Sequence, residues 1–409
     1  MKNDGQIRIR TAEDRDLEAL LTVHAAAFPD PRGREARRKN FCENPRGTFS
    51  DLMVAERGGR IVGHGFLFPM KAWFGGAEVS VGGVASVGVA PDARRSRVGR
   101  ALLEGMLARM RSRGMVVSML YPFKHDFYRK LGWGLVGEMR RYRFRPDALP
   151  LFDERERVLE GRPDRLDVVR ECYEGFARMR NGLIHRSEAV WGSLVRSETV
   201  RLARVPDAGG ELEGYCLYRF VTDPLLSNQE IEVLELVATT ASARFALWGF
   251  LSGQRDQVRR IQMSVPPDEP LHVLLKEPRS PVEEPIRGLT FASADLAVGL
   301  MLRVVDPVRA LEGRGWSSDG EVVIDCPDRI VGDAGRLCAV VRGGKAQVSA
   351  EGSGPVLSTD PSTFAQIWSG YLAPSRAVYY GIARVDPESA TVGLDRLFSL
   401  PPPGTLDVF

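Results

Sequence analysis

The sequence has few cysteines and almost no net charge. Among its 409 residues are five cysteines, at positions 42, 172, 216, 326 and 338, and no pair of them has a Cys-x-x-Cys spacing. This scatter excludes a cysteine zinc site and a disulfide framework, and it fits a reducing compartment such as the cytoplasm. The five histidines show no ligand spacing either, so no metal site is predicted. A net charge of +3 implies no general attraction to nucleic acid.

Long apolar runs and the common nucleotide motifs are also missing. No run of about eighteen apolar residues occurs, so no membrane span is expected. The N-terminus, MKNDGQIRIR, lacks the apolar core of a signal peptide, and the sequence therefore predicts a cytoplasmic location. Neither a P-loop nor a Rossmann glycine motif is present. With 44% hydrophobic and 27% charged residues, the chain is typical of globular proteins and long enough for several domains.

Residues 84–103, VASVGVAPDARRSRVGRALL, carry the most information about function. A short β-branched strand meets a breaker at 90–92, a dense basic turn follows, and a helix is predicted over 96–113. A helix N-terminus has unpaired amides and a positive dipole end, and arginines add fixed charge. Because arginines at that end oppose the dipole, the pattern indicates an anionic partner such as a phosphate. The alternative is a solvated helix end.

A second motif, FYRKLGW at 127–133, follows about twenty-five residues later. It comes after an apolar run at 115–120 and a breaker at Pro122. A tyrosine has an ordinary pKa of about 10, so Tyr128 is protonated at neutral pH and able to donate a proton to a leaving group. The alternative is that Tyr128 is only an aromatic residue on a core-facing helix.

The N-terminal part shows a strand-and-helix alternation. Residues 7–10 alternate like a strand, and residues 51–56 and 60–69 predict two strands around a Gly-Gly turn. Thr11, with Asp14 three positions on, predicts the N-cap of a first helix in a capping-box-like arrangement.

Both motifs resemble those of the GNAT acetyltransferases. In that family the pyrophosphate loop reads Arg/Gln-x-x-Gly-x-Gly/Ala, which 94–99 match except for Arg97 at the middle glycine. The family's Tyr-x-x-x-Gly-aromatic motif matches 128–133. The resemblance implies acetyl-CoA as cosubstrate and Tyr128 as the general acid. The cofactor-binding residues that it implies are Val87, Gly88, Val89, Arg94, Arg95, Ser96, Arg97, Val98, Gly99, Arg100, Phe123 and Lys124.

Linker-like composition at 147–163 and 278–285 predicts three domains, 1–147, 148–288 and 289–409. The second echoes the strand and helix order of the first without a basic turn, and the third alternates strands and helices as an α+β domain. In this order a GNAT fold, a degenerate GNAT-like domain and a sterol-carrier-protein-like domain resemble the enhanced intracellular survival (Eis) acetyltransferases. The short signatures GYCLYR and LWGFL add to the resemblance. An α/β and α+β architecture and a homo-hexamer are implied.

The Eis resemblance also implies a general base at the last residue. In that family the base is the terminal carboxylate of a Phe, here Phe409, which follows a stiff PPPG segment. The family acetylates amines, including aminoglycosides, polyamines and lysine side chains. Phe28 and Asp30 match its substrate groove. Some members carry an acidic residue immediately before the terminal Phe. This chain has Val408 at that position, and its nearest acidic residue, Asp407, comes one residue earlier.

A rival function from another class remains open at this point. Arg97 in place of glycine, together with the sterol-carrier-like segment, is compatible with a non-catalytic acyl-CoA or lipid-binding protein. A narrower alternative is an enzyme that acetylates protein N-termini or lysines.

Overall fold

The computed structural model describes residues 5–29, 31, 33–163, 166–222, 229–280, 288–332 and 335–409. The chain forms two compact units, each built from separated stretches of sequence. Unit 1 contains residues 1–136, 181–187 and 299–409, and unit 2 contains residues 137–180 and 188–298. The three consecutive domains remain a prediction, because each compact unit combines residues from more than one of the three predicted segments.

The elements of the described residues are numbered in chain order. The strands are β1 (Arg8–Thr11), β2 (Leu52–Arg57), β3 (Arg60–Phe74), β4 (Ala77–Val89), β5 (Val117–Leu120), β6 (Gly134–Leu135), β7 (Glu138–Phe144), β8 (Leu159–Gly161), β9 (Val200–Pro206), β10 (Leu212–Thr222), β11 (Gln229–Ala238), β12 (Val258–Val265), β13 (Ala294–Val298), β14 (Met301–Val304), β15 (Gly320–Asp325), β16 (Arg336–Arg342), β17 (Lys345–Ser349), β18 (Val356–Thr359) and β19 (Ala383–Asp386). The α-helices are α1 (Leu17–Ala27), α2 (Gly33–Cys42), α3 (Val98–Ser112), α4 (His125–Arg129), α5 (Leu166–Arg178), α6 (Glu188–Leu194), α7 (Ala241–Gly253), α8 (Pro307–Gly313), α9 (Pro361–Trp368), α10 (Pro374–Tyr379) and α11 (Thr391–Phe398).

The first sheet of unit 1 has the strand order β1-β2-β3-β4-β5-β14-β6. Neighbours are antiparallel except β4 and β5, which are parallel and joined by the crossover helix α3. Such a β-α-β connection needs a helix on one face of the sheet. Helix α3 buries an apolar stripe against that face, formed by Val98, Leu102, Leu103, Met106, Leu107 and Met110.

Strand β14 enters this sheet from a distant part of the sequence. It pairs with β5 through Met301↔Leu120 and with β6 through Met301↔Leu135. All four of its residues are buried. Strand β14 therefore lies between β5 and β6 and joins them into one sheet.

The second sheet of unit 1 has the order β17-β16-β15-β18-β19 and comes from the last hundred residues. Its core is continuous with that of the first sheet, because Val117 and Leu302 belong to the same apolar cluster as Ile324 and Trp368. The predicted sterol-carrier-like segment thus packs as part of unit 1 rather than as a separate core.

Unit 2 repeats the connectivity of the first sheet. Its sheet has the order β13-β7-β12-β11-β10-β9-β8, and β11 and β12 are parallel with helix α7 between them, as α3 lies between β4 and β5. The predicted degenerate copy of the first domain is confirmed at the level of the fold. Within the described residues, no helix is long and apolar enough to cross a membrane.

Candidate functional site

Strand β4 carries a bulge where it extends beyond β5. Its parallel pairing with β5 covers Val81 to Val84, while β4 continues to Val89. On the other side the register passes from Phe66↔Ala85 to His64↔Gly88, so that Ser86 and Val87 together oppose one residue of β3. A bulge of this kind takes residues out of the ladder and re-aims them. Ser86 and Val87 therefore lie outside the regular pairing of β4 with β3.

Positive φ angles on residues other than glycine cluster at this place. Among the described residues they occur at Ser86 (51°), Arg95 (60°) and Arg97 (64°). Each costs roughly 1–3 kcal/mol and persists only where the surroundings enforce it, which makes such clusters a mark of functional sites. The value at Arg97 explains why the related motif prefers glycine there: the backbone occupies the left-handed region that glycine enters freely.

The N-terminus of α3 is open to a ligand. Its N-cap residue, Arg97, makes no side-chain capping bond, and the first helical bond to its carbonyl comes from the amide of Ala101. The amides of residues 98–100 therefore point out of the helix end. Arg94, Arg95 and Arg97 are exposed around them, and the structure begins the helix at Val98 rather than at the predicted 96.

The equivalent helix end in unit 2 is closed by its own sequence. There Thr240 is the N-cap of α7, and its hydroxyl accepts a hydrogen bond from the amide of Ala243 at 3.1 Å. Only two residues separate β11 from α7, and neither is basic. Unit 2 thus repeats the strand-turn-helix connection of unit 1 without its basic turn and without an uncapped helix end.

Helix α4, which carries Tyr128, lies beside the start of α3 and the end of β4. At Gly99 a Cβ atom would lie 3.4 Å from Phe127 Cζ and 3.7 Å from Val89 Cγ2, so the start of α3, helix α4 and the end of β4 converge there. Tyr128 belongs to the apolar cluster that Val84 and Leu102 also form, and it is only 2% exposed. Its burial raises its pKa, which keeps the phenol protonated at neutral pH.

Two further predicted cofactor contacts lie close to Tyr128 in the chain and in the structure. Phe123 is 69% exposed and lies edge-on to Tyr128, with ring centroids 5.5 Å apart. Lys124, the N-cap residue of α4, is exposed beside it. The structure therefore groups these two residues with the tyrosine at the surface of unit 1.

The glycine of the tyrosine motif has a structural reason. Gly132 has φ of 89°, and a Cβ atom there would overlap the Arg303 guanidinium. Arg303 is fully buried, contacts Asp328 at 2.5 Å and lies 5.5 Å from the Trp133 ring. The motif thus binds the tyrosine helix to strand β14.

We expect Gly132→Ala to lower the free energy of unfolding by about 3 kcal/mol or more. The left-handed backbone and the collision with a buried cation both penalise alanine. Urea denaturation followed by fluorescence would measure the loss. Gly393→Ala on α11 is the matched control, because a Cβ atom there meets nothing within 4 Å, and it should leave the stability unchanged or slightly raised. Equal stability of the two variants would contradict this role of Gly132.

The C-terminal tail is clamped into unit 1. Asp407 is 1% exposed and accepts hydrogen bonds from Arg186 Nε at 2.9 Å and Arg46 Nη2 at 2.9 Å. The Tyr121 hydroxyl donates to the backbone carbonyl of Asp407 at 3.0 Å. Two arginines neutralise this carboxylate, so Asp407 anchors the tail and is no acidic wall for a substrate.

Beyond the clamp the last side chain faces the sheet. The Phe409 ring lies 5.6 Å from the Tyr121 ring, and its Cδ2 atom would be 3.5 Å from a Cβ atom on Gly83 of β4. Val408, in contrast, is 77% exposed. The tail therefore places its final residue on the strand that carries the bulge, three residues before Ser86.

The predicted substrate side is described at Phe28 but not at Asp30, which lies outside the described residues. Phe28 is the C-cap residue of α1 and is 37% exposed, and its ring lies 4.9 Å from that of His24. Beneath them His64 is fully buried on β3, opposite Gly88. Burial, followed by the nearby His24, lowers the pKa of His64 to about 3, so this ring is neutral at physiological pH.

The sequence motifs did not indicate the clamp residues Arg46, Tyr121 and Arg186. Each contacts Asp407 across more than two hundred residues of sequence. The only local signal was an acid placed in a tail of apolar and stiff residues.

Models of known protein families match three consecutive segments of the chain. An acetyltransferase (GNAT) domain model matches residues 8–136, a second acetyltransferase (GNAT) domain model matches residues 182–304, and a sterol carrier protein domain model matches residues 307–405. The chain belongs to the Eis-type N-acetyltransferases of the GNAT superfamily. The Eis-type order of the three segments, predicted from the motifs, is confirmed, and with it the classification as an enzyme.

Full-length relatives agree with this assignment. The chain is 27% identical to the N-acetyltransferase Eis of Mycobacterium tuberculosis over 87% of each chain. It is 26% identical to an uncharacterized N-acetyltransferase of Streptomyces avermitilis over 95% of this chain and 94% of that one. A GCN5-related N-acetyltransferase from Anabaena variabilis shares its fold, with a TM-score of 0.85 at 21% identity over 99% of this Eis-type chain and 100% of the other.

Proposed function

We propose that this enzyme transfers an acetyl group from acetyl-CoA directly to an amine, with Tyr128 as general acid and the Phe409 carboxylate as general base. The observation that carries the proposal is the clustering of the positive-φ residues Ser86, Arg95 and Arg97 around the β4 bulge and the start of α3. Backbone strain is thus concentrated where a strand end and a helix N-terminus converge. Such a place suits a ligand with both phosphates and a reactive carbonyl.

The residues present fit the phosphates of a coenzyme A thioester. The outward amides of residues 98–100 and the positive end of α3 attract anions, and they have no capping side chain to compete. Arg94, Arg95, Arg97 and Arg100 add charge, although Arg100 also pairs with Glu104 at 2.7 Å. Arg97 would act through its amide, because its left-handed backbone keeps the glycine-like geometry. Ser96 is held to the turn by its bond to the Ala93 carbonyl.

The bulged strand and the buried tyrosine supply the chemistry on the thioester side. Bound acetyl-CoA would provide an activated acetyl group. The Val87 amide, freed from the ladder, would donate a hydrogen bond to a carbonyl oxygen that gains negative charge. Gly88 and Val89 continue this edge of β4 beside the ligand. Tyr128 would deliver its proton to the departing sulfur, and Phe123 and Lys124 would border the same channel.

The tail supplies the base. A terminal carboxylate has an ordinary pKa of about 3.5, so it is ionised at neutral pH and able to accept a proton from an attacking amine. The Asp407 clamp and the Phe409 ring contacts hold this carboxylate near β4. Phe28 would border the acceptor, with aminoglycosides, polyamines and lysine side chains as the amine classes. A cytoplasmic homo-hexamer is the further expectation from the family, and light scattering would test its size.

Binding of acetyl-CoA tests the cofactor site. Glutamine at both Arg95 and Arg97 should raise the Kd for acetyl-CoA by about tenfold or more in isothermal titration calorimetry, because two positive charges beside the amides of residues 98–100 are lost. The matched control replaces Arg38 and Arg109, which are exposed elsewhere in unit 1, and should change the Kd less than twofold. Equal Kd values in both double variants would refute the site. Absence of any binding by the wild-type protein would instead favour a lipid-binding role.

A further inference from the structure

Unit 2 has a groove that is lined by arginines and lies along its sheet. Its volume is about 460 Å³, which is within the range of pockets that hold small ligands. It is formed by strands β7 and β12, the turn before β12 and the edge of β13. The arginines that line it are Arg141, Arg143, Arg145, Arg255, Arg259 and Arg260.

The strand pattern places these cations on one face. Tyr142 and Phe144 of β7 are buried in the core of unit 2, so the alternating Arg141, Arg143 and Arg145 project from the opposite face. Strand β12 pairs beside them through Gln262↔Arg143 and Ser264↔Arg141. Arg260 therefore continues the same row on the neighbouring strand.

Acidic side chains balance only part of this charge. Asp147 contacts Arg145 at 3.0 Å, Asp295 contacts Arg143 at 3.1 Å, and Glu230 contacts Arg260 at 3.4 Å. The other arginines of the groove form no ion pair with any residue that the structure describes; they are Arg141, Arg255 and Arg259. The groove lining has six arginines and two aspartates, whereas the entire chain has a net charge of only +3.

Three unbalanced guanidinium groups around one concavity repel each other and focus a positive potential into it. A bound polyanion would remove that repulsion. Guanidinium groups match phosphate oxygens in pairs of parallel hydrogen bonds.

We propose that this groove binds a small anion carrying two or more phosphate groups. All residues of the groove belong to unit 2, and none belongs to the basic turn. The inference therefore does not depend on the proposed function. The Ser280 hydroxyl, which lines the groove, donates a hydrogen bond to the Arg143 carbonyl at 2.9 Å.

A nucleic-acid strand fits the groove less well. Recognition of single strands uses exposed aromatic rings on which bases stack. The aromatic residue in the lining is Phe144, which is 5% exposed and belongs to the core. A compact polyphosphate needs no such platform.

Titration calorimetry with tripolyphosphate tests the proposal on the full chain. Wild-type protein should bind it, and replacing Arg141 and Arg259 together with glutamine should raise the Kd by about tenfold or more. The matched control replaces Arg162 and Arg196, which are exposed in unit 2 outside the groove and carry the same charge change. The control should shift the Kd less than twofold, and neither double variant should melt at a lower temperature than the wild-type protein.

The basic-turn double variant of Arg95 and Arg97 separates the two phosphate sites. Retained tripolyphosphate binding in that variant supports the groove. Loss of binding in the basic-turn variant, together with retained binding in the groove variant, would overturn the proposal. Three further results would overturn it as well: no binding by wild-type protein, equal binding by all variants, or tighter groove-dependent binding of a polyglutamate peptide or a single-stranded oligonucleotide than of tripolyphosphate.

Discussion

Replacing Tyr128 with phenylalanine should lower kcat by about 100-fold or more, because the substitution removes one proton donor and almost nothing else. The ring remains, so the packing of this buried side chain against Phe127 and Trp133 is preserved. Affinity for acetyl-CoA should stay within about twofold of wild type. Steady-state release of free thiol, together with calorimetric binding of acetyl-CoA, would measure both quantities.

The Tyr128 prediction has a matched control and a pH signature. Tyr142→Phe removes the hydroxyl of another buried tyrosine, which contacts His272 at 2.9 Å in unit 2, and it should leave kcat near wild type. Burial raises the pKa of Tyr128 above its ordinary value of about 10, so the acid stays protonated as the pH rises. No loss of rate through ionisation of Tyr128 is expected up to about pH 9. Unchanged turnover in Tyr128→Phe would assign the acid role elsewhere.

Extending the chain by two glycines after Phe409 should reduce kcat by about 10²- to 10⁴-fold, the range typical of a lost general base. The extension moves the free carboxylate away from the strand that Phe409 contacts. The phenylalanine and the Asp407 clamp remain, so the melting temperature should change little. Turnover and thermal unfolding of the same preparation would give both values.

Two control variants show whether the carboxylate or the tail itself is responsible. Phe409→Leu keeps the terminal carboxylate and should retain most of the turnover. Val408→Ala alters an exposed side chain in the same tail and should behave as wild type. Full activity of the extended chain would mean that the base lies elsewhere, and a large fall in melting temperature would mean that the extension had displaced the tail.

Local chemistry explains why the cofactor motif could be predicted from the sequence. The β-branched run, the proline breaker and the helical stripe act over a few residues. They form the end of β4, the turn and α3, and the helix limits lie within two residues of the predicted 96–113. The same locality explains the open end of α3 and the closed end of α7, since one threonine makes the difference. The strained angles at Arg95 and Arg97 are not visible in composition or periodicity.

The first helix start was predicted wrongly, for an electrostatic reason. Thr11 is the last residue of β1 and not an N-cap, and the capping box is formed by Glu13 and Asp16. Asp16 accepts hydrogen bonds from Arg10 at 2.6 Å and from the Glu13 amide at 2.8 Å. Helix α1 therefore begins at Leu17, after a short 3-10 turn.

Long-range pairing could not be predicted from sequence patterns. Strand β14 and strand β7 each join a sheet other than that of the sequence segment to which they were assigned. Register between strands depends on which edge remains open, and a four-residue apolar run does not encode its partner. The clamp on Asp407 is of the same kind, since Arg46 and Arg186 reach it from opposite parts of the sequence.

The most direct test of the account is release of free thiol from acetyl-CoA by the full chain, measured with a panel of aminoglycosides, polyamines, arylamines and lysine peptides. Amine-dependent thiol release with at least one of these classes is expected, with an acetylated amine as the product by mass spectrometry. Thiol release that does not depend on an amine, or no release from any acceptor together with no binding of acetyl-CoA, would contradict it.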